Sequence, residues 1–204
     1  MRAIIEKRLA TAPIQKDPLE GLLANARGPV SSEFRDFLSG SPSAAAVLLG
    51  LIDRGAGLNV ILTERARHLS DHPGQVSFPG GRIETHDPTP IAAALREAEE
   101  EVGIHPERVA VAGEMSEVLT GTGFLITPVV GFVDYEFEAV PDRSEVEEVF
   151  EVPLDFLLEP DALRTSTRQR FGTTLTMYEF DYDGHYVWGA TAKILRNFVR
   201  LITI

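Results

Sequence analysis

Over residues 90–102, apolar side chains recur at spacings of three and four. Ile91, Ala94, Leu95, Ala98 and Val102 form one face of a predicted helix. Pro90 suits its first turn and Gly103 suits a cap just past its end. A second helical pattern over residues 190–201 closes the chain. Continuous apolar runs over residues 44–51, 58–63 and 125–133 predict buried strands. Residues 109–119, 148–153 and 175–182 read as further strands, with turns at 53–57 and at Asp183-Gly184. A short helix begins at residues 156–158. Residues 1–40 begin with a short helix, continue through a stretch interrupted by Pro13 and Pro18, and carry a helix over 32–38. Residues 39–43 form a loop by composition, and the polar stretch from 64 to Pro88 carries no regular period. The pattern predicts one mixed α/β (α+β) domain over residues 41–204 behind an N-terminal extension of residues 1–40.

Composition narrows the function classes. The chain has 204 residues, 44% apolar and 25% charged, which suffices for a sizeable core. It has no cysteine, so disulfides, zinc–thiolate sites and a cysteine nucleophile are excluded. With 19 basic against 31 acidic residues the net charge is −12. That argues against nucleic-acid partners, whose phosphates are met by Lys and Arg, and against anionic membrane surfaces. No apolar run reaches the roughly 20 residues of a membrane span. The first ten residues lack the features of a signal peptide, so a cytoplasmic protein is expected.

The charge is uneven. Residues 134–161 hold 11 acidic residues and one basic residue, Arg143. Residues 61–82 carry Arg65, Arg67 and Arg82 against Glu64 and Asp71, together with His68 and His72. One locally basic segment in an acidic chain suggests anion capture at one place; a chance cluster of surface charge is the alternative. The two histidines read as polar loop residues, since a hard cation favours oxygen.

The predicted helix at 90–102 carries the sharpest chemical signal. Glu97, Glu100 and Glu101 stand at i, i+3 and i+4. Like charges so placed repel by about 0.2–0.5 kcal/mol per close pair. Arg96 relieves part of this through Glu100. A solvated acidic face is one reading. The other is a site for Mg²⁺ or Mn²⁺, which prefer carboxylate oxygens. The preceding Phe78-Pro79-Gly80-Gly81-Arg82 supports the second, because two glycines let backbone approach a ligand closely.

Gly81 through Ile104, GRIETHDPTPIAAALREAEEEVGI, resembles the signature of the Nudix hydrolases. That pattern is a Gly, a spaced acid, then Arg-Glu-U-x-Glu-Glu-x-Gly-U, with U a bulky aliphatic. Arg96 through Ile104 matches it, with small Ala98 at the first U. The spaced acid is Asp87 where Glu is common, and eight residues rather than seven separate it from Arg96. Upstream, Leu62-Thr63-Glu64-Arg65-Ala66, Gly74 and Phe78-Pro79-Gly80-Gly81 resemble the coenzyme A pyrophosphatase subgroup, with Ser70 where the subgroup usually carries Arg. Residues 145–154 and 188–195 are also similar to that subgroup.

The resemblance implies a Nudix-like α/β/α sandwich with a mixed sheet and metal-dependent hydrolysis of coenzyme A to 3′,5′-ADP and 4′-phosphopantetheine. It implies Mg²⁺ or Mn²⁺ on Glu97, Glu100 and Glu101, with the Gly80 carbonyl as a further ligand. Arg96 would orient the carboxylates, and Glu145, ahead of Glu148, would supply a remote ligand or the general base. Arg65, Arg67 and Arg82 are candidates for substrate phosphates, since guanidinium binds them in bidentate fashion. The partner is a small-molecule nucleotide, and a homodimer is compatible with the sequence. Two other readings compete: a Nudix enzyme for another nucleoside diphosphate such as ADP-ribose, and a non-catalytic ligand sensor.

Overall fold

The computed structural model describes residues 1–13 and 17–203; part of the stretch between Pro13 and Pro18, and Ile204, lie outside the described residues. In chain order the elements are α1 (Arg2–Thr11), α2 (Pro18–Leu23), α3 (Ser32–Leu38), β1 (Ser43–Asp53), β2 (Leu58–Arg65), β3 (Val76–Ser77), β4 (Gly80–Arg82) and α4 (Pro90–Val102). There follow β5 (Val109–Glu114), β6 (Val118–Leu119), β7 (Phe124–Val133), β8 (Val146–Pro153), α5 (Leu154–Leu158), β9 (Arg164–Arg170), β10 (Thr173–Tyr182), β11 (His185–Trp188) and α6 (Gly189–Thr203).

The main sheet runs β3-β2-β1-β7-β5, with β4 on β1, β6 on β7 and β8 on β2. It is mixed: β1 and β7 are parallel over ten residue pairs, and its other pairings are antiparallel. Side chains alternate across the pleat. Leu48 and Ile52 pack against Ala94, Ala98 and Val102 of α4, while Leu49 and Leu51 pack against Ile194, Leu195 and Phe198 of α6. The fold is therefore an α/β/α sandwich around a mixed sheet. A three-stranded antiparallel sheet, β11-β10-β9, joins the α6 side. No helix among the described residues is long and apolar enough to cross a membrane.

The clearest local signals are realised. Thr89 caps α4, its hydroxyl accepting the Ala92 N–H at 3.1 Å, and Pro90 occupies the first turn. Gly103 ends the helix at φ +76°, where a side chain would be strained. Other elements differ from the sequence pattern. Residues 109–119 form two strands, β5 and β6, because the chain leaves the β7 register between Glu114 and Val118. β9 is polar and almost wholly exposed, and it pairs with β10 without an apolar face. α2 forms where no helix is expected, its start fixed by the Asp17 carboxylate accepting the Leu19 and Glu20 N–H groups.

The described helices of the first forty residues, α1 to α3, pack into the same body. Ile5 of α1 is fully buried in the cluster of α6, and Leu22, Phe34 and Leu38 form a further cluster with Leu119 and Leu175. Ile5→Ala is expected to lower the unfolding free energy by about 2–5 kcal/mol in denaturant titration. A loss under about 1 kcal/mol would mean that α1 unfolds independently of the sandwich.

Candidate active site

β2 pairs with β1 only at Leu58–Val60 and then diverges from it. The opening is filled by the chain between them: β3 pairs with β2 and β4 pairs with β1, with the Leu48 N–H donating to the Pro79 carbonyl at 2.8 Å. This sets Gly80 and Gly81 on the α4 side. Gly80 has φ +152°, and a Cβ there would stand 2.5 Å from the Ala46 carbonyl oxygen and 2.6 Å from Val47 Cα. At Gly81 a Cβ would stand 2.6 Å from the Glu97 carboxylate. Only bare backbone fits at Gly80, whereas at Gly81 a side chain would displace the end of Glu97.

α4 delivers the carboxylates unequally. At about 100° per residue, Glu97 and Glu101 lie about 40° apart around the helix, and Glu100 lies about 100° from Glu101. Glu101 is 6% exposed and accepts the Gly80 N–H at 3.1 Å. Glu97 is mostly covered, whereas the Glu100 side chain is 59% exposed. The structure thus brings Glu97 and Glu101 together at the glycine pair and turns Glu100 toward solvent. Burial pushes the Glu101 carboxyl up to about 8, aided by the nearby negative charges of Glu97 and Glu145 and opposed by the Gly80 N–H and Arg65. Burial also raises Glu97, opposed by Arg96.

Arg96 holds this arrangement in place. It makes a two-pronged pair with Asp87 at 3.1 and 3.0 Å, reaches Glu97 at 3.0 Å and Glu100 at 2.9 Å, and donates to the Arg82 carbonyl at 3.2 Å. The Asp87 carboxylate also accepts the Glu84 N–H. The bond to Arg96, with that N–H, holds Asp87 down at about 2. Asp87 therefore anchors the guanidinium that orients Glu97.

The remaining candidates divide. Glu145 is exposed but close enough for its charge to raise both buried glutamates. Its loop is tied down at several points: its own carbonyl accepts the Ala66 N–H, and the Asp142 N–H donates to the Glu101 carbonyl. Arg65 acts on Glu101, and its Nε is buried with no hydrogen-bond partner among the described residues. Arg67 is 79% exposed beside Glu64. Arg82 is exposed, with its guanidinium 5.5 Å from the centre of the Phe124 ring. His68 and His72 are exposed and meet the Ser144 carbonyl and Gln75.

A second cation-capable group escapes the sequence pattern. Donor atoms of Glu64, Glu148 and His185 lie within 4.8 Å of one another. The His185 ring stacks on Phe150 at 3.8 Å, with Nδ1 3.3 Å from Glu64. Adjacent residues on β2 serve different neighbours: Arg65 acts on Glu101, and Glu64 meets His185 of β11. Pairing over 121 residues leaves no spacing that a sequence could display. An imidazole also makes this donor set less suited to Mg²⁺ than the glutamates of α4.

The site is thus a carboxylate helix locked over a glycine pair, with the buried, unpartnered Nε of Arg65 beside it. The NUDIX domain family matches residues 42–171. Mouse peroxisomal coenzyme A diphosphatase NUDT7 is 38% identical over 160 residues, covering 76% of this chain and 68% of that protein. The Nudix hydrolase NudL of Enterobacter sp. (strain 638) is 43% identical over 153 residues, covering 75% and 79%. A crystal structure of DR0079 from Deinococcus radiodurans superposes with TM-score 0.52 at 14% identity, over 76% of this chain and 82% of that one, which speaks to fold alone. The chain belongs to the Nudix family. It is an enzyme, a diphosphatase of that family.

The two glycines give separable expectations. Gly80→Ala meets backbone on both sides and should lower the melting temperature sharply. Gly81→Ala meets only the mobile end of Glu97, so the fold should hold while turnover falls at least tenfold. Melting curves and initial rates on both variants check this; a Gly81→Ala enzyme with wild-type turnover would contradict the role given to Glu97.

Proposed function

We propose that the protein hydrolyses the pyrophosphate bond of coenzyme A or its derivatives in a divalent-metal-dependent reaction, giving 3′,5′-ADP and 4′-phosphopantetheine. The observation that carries the substrate class is the 38% identity to a coenzyme A diphosphatase over three quarters of the chain. The 62–81 segment supports it, since it resembles the coenzyme A subgroup and supplies both Arg65 and the glycine pair.

The donor set fits a hard divalent ion. Glu101 is a buried carboxylate whose neighbours are two further carboxylates, one N–H and the Arg65 guanidinium, and burial outweighs what the N–H and Arg65 return to its charged form. Glu97, Glu101 and the Gly80 carbonyl would hold Mg²⁺ or Mn²⁺, with Glu100 able to join from the helix edge. Such an ion, when bound, supplies Lewis acidity and neutralises charge on the phosphates. Arg65 would donate its unpaired Nε to a phosphate oxygen, with Arg67 and Arg82 meeting outlying phosphates. Glu145 would take the proton from the attacking water as the phosphorus–oxygen bond to the leaving phosphate breaks. Arg96, held by Asp87, keeps Glu97 in place.

A substrate panel with Mg²⁺ and with Mn²⁺ tests the assignment. Coenzyme A should be turned over faster than ADP-ribose, and the reverse order would give the enzyme to a different nucleoside diphosphate. Glu101→Gln should remove most turnover of either compound. A fully active variant would refute the role of Glu101.

The raised Glu101 adds a pH dependence. In metal-free protein this group is neutral up to about pH 8, whereas in the unfolded chain it ionises near pH 4.5. Its contribution to stability is therefore full below about pH 4.5 and is lost as pH rises through about 8. Binding Mn²⁺ requires the carboxylate, so at pH 7 it should release about one proton, with affinity rising toward pH 8. Calorimetric titration in two buffers of different ionisation heat counts that proton. A heat independent of buffer would contradict Glu101 as a ligand.

A further inference from the structure

On the opposite side of the sheet from α4, a cavity of about 290 Å³ opens between α2, β6, β10 and α6. Lys193, Arg196 and Arg200 line it from one face of α6, at i, i+3 and i+7. Asn25 follows α2, and Tyr178 of β10 completes the wall. Three cations on one helix face repel one another, and a chain with 31 acidic residues has ample carboxylates to neutralise them. Yet among the described residues none of the three enters an ion pair. Glu117 lines the cavity without pairing to any of them.

Lys193 is the most exposed to this cost. Its ammonium has three donors, and it reaches one acceptor, the Gly21 carbonyl, at 3.4 Å. Burial, with the Arg196 charge beside it, pushes it down to about 8. The Arg196 guanidinium lies over the Tyr178 ring at 4.4 Å, which fixes its plane and leaves its edge free. A tetrahedral anion between Lys193 and Arg196 would satisfy the open donors and cancel the repulsion. Asn25 and Asn197 add neutral donors on the same wall.

We propose that this cavity is a binding site for a phosphate group, separate from the Glu97–Glu101 centre and held mainly by Lys193 and Arg196. The group is free phosphate or the terminal phosphate of a nucleotide. Calorimetric titration of the full chain in metal-free buffer, with inorganic phosphate in one arm and adenosine 3′,5′-bisphosphate in the other, tests it. Saturable one-to-one binding is expected in at least one arm, and the tighter arm identifies the source. Lys193→Met keeps the aliphatic stem and should weaken that binding about tenfold or more. Arg196→Gln should do the same, and Glu117→Gln should strengthen binding by removing a repelling carboxylate. Melting curves without ligand establish that each variant is folded. Should Lys193→Met fail to fold, Arg196→Gln and Glu117→Gln decide the matter. Absence of saturable binding in both arms, or wild-type affinity in the folded cation variants, would overturn the proposal.

Discussion

A carboxylate forced into the protein interior against a bare backbone N–H is the contact on which the rest of the active site depends. Glu101 reaches Gly80 only because β4 runs where β2 has left β1, and β4 runs there only because residue 80 has no side chain to strike Ala46 and Val47. Gly81 then gives Glu97 the space a methyl group would occupy. Strand divergence, glycine pair and helix position are thus one constraint seen from three elements. Loss of any of them would move both glutamates.

The electrostatic consequence is a centre that is poorly stabilised by the protein alone. Burial raises Glu97 and Glu101, the charge of Glu145 adds to both, and Arg65 opposes the rise at Glu101. Arg96 works at the outer edge. It is clamped by Asp87 and shared with Glu97 and Glu100, so it draws Glu97 toward the helix surface while the glycine pair holds the carboxylate from below. Local stability has been given up where charge must later be met by something from outside. That is how functional sites differ from cores, which bury charge only when it is paired.

How far this was legible in the sequence follows from how local each cause is. The 90–102 helix is read to the residue because its start signal, apolar face and glycine stop lie within fifteen residues of one another. β3 and β4 could not be read, since two- and three-residue strands exist only by pairing with β2 and β1. β9 has no apolar alternation to betray it. The acidic face of α4 reads as one cluster of three, but helical geometry sends Glu100 outward, and only the packed sheet shows which two turn in. In the sequence Asp87 reads only as a departure from the usual Glu and its spacing; in three dimensions it is the anchor of Arg96. His185 meets Glu64 across the whole fold, so no local pattern could have paired them.

The positive charges make the last step of the synthesis. Even in a chain of net charge −12, ion pairs form only at particular places, such as Arg54 with Glu151 and Arg2 with Glu6. An unpaired cation carries information where it is also buried or shares a cavity with others. Arg65 has its Nε buried without a hydrogen-bond partner at the edge of β2, beside the Glu101 carboxylate on which its charge acts. Lys193 and Arg196 share a cavity wall with Asn25, Asn197 and Tyr178, and Glu117 lines it without pairing to either. The two places lie on opposite faces of the sheet and are built from different elements. What they share is donor groups left open toward an anion, in a protein whose mean field would otherwise repel it.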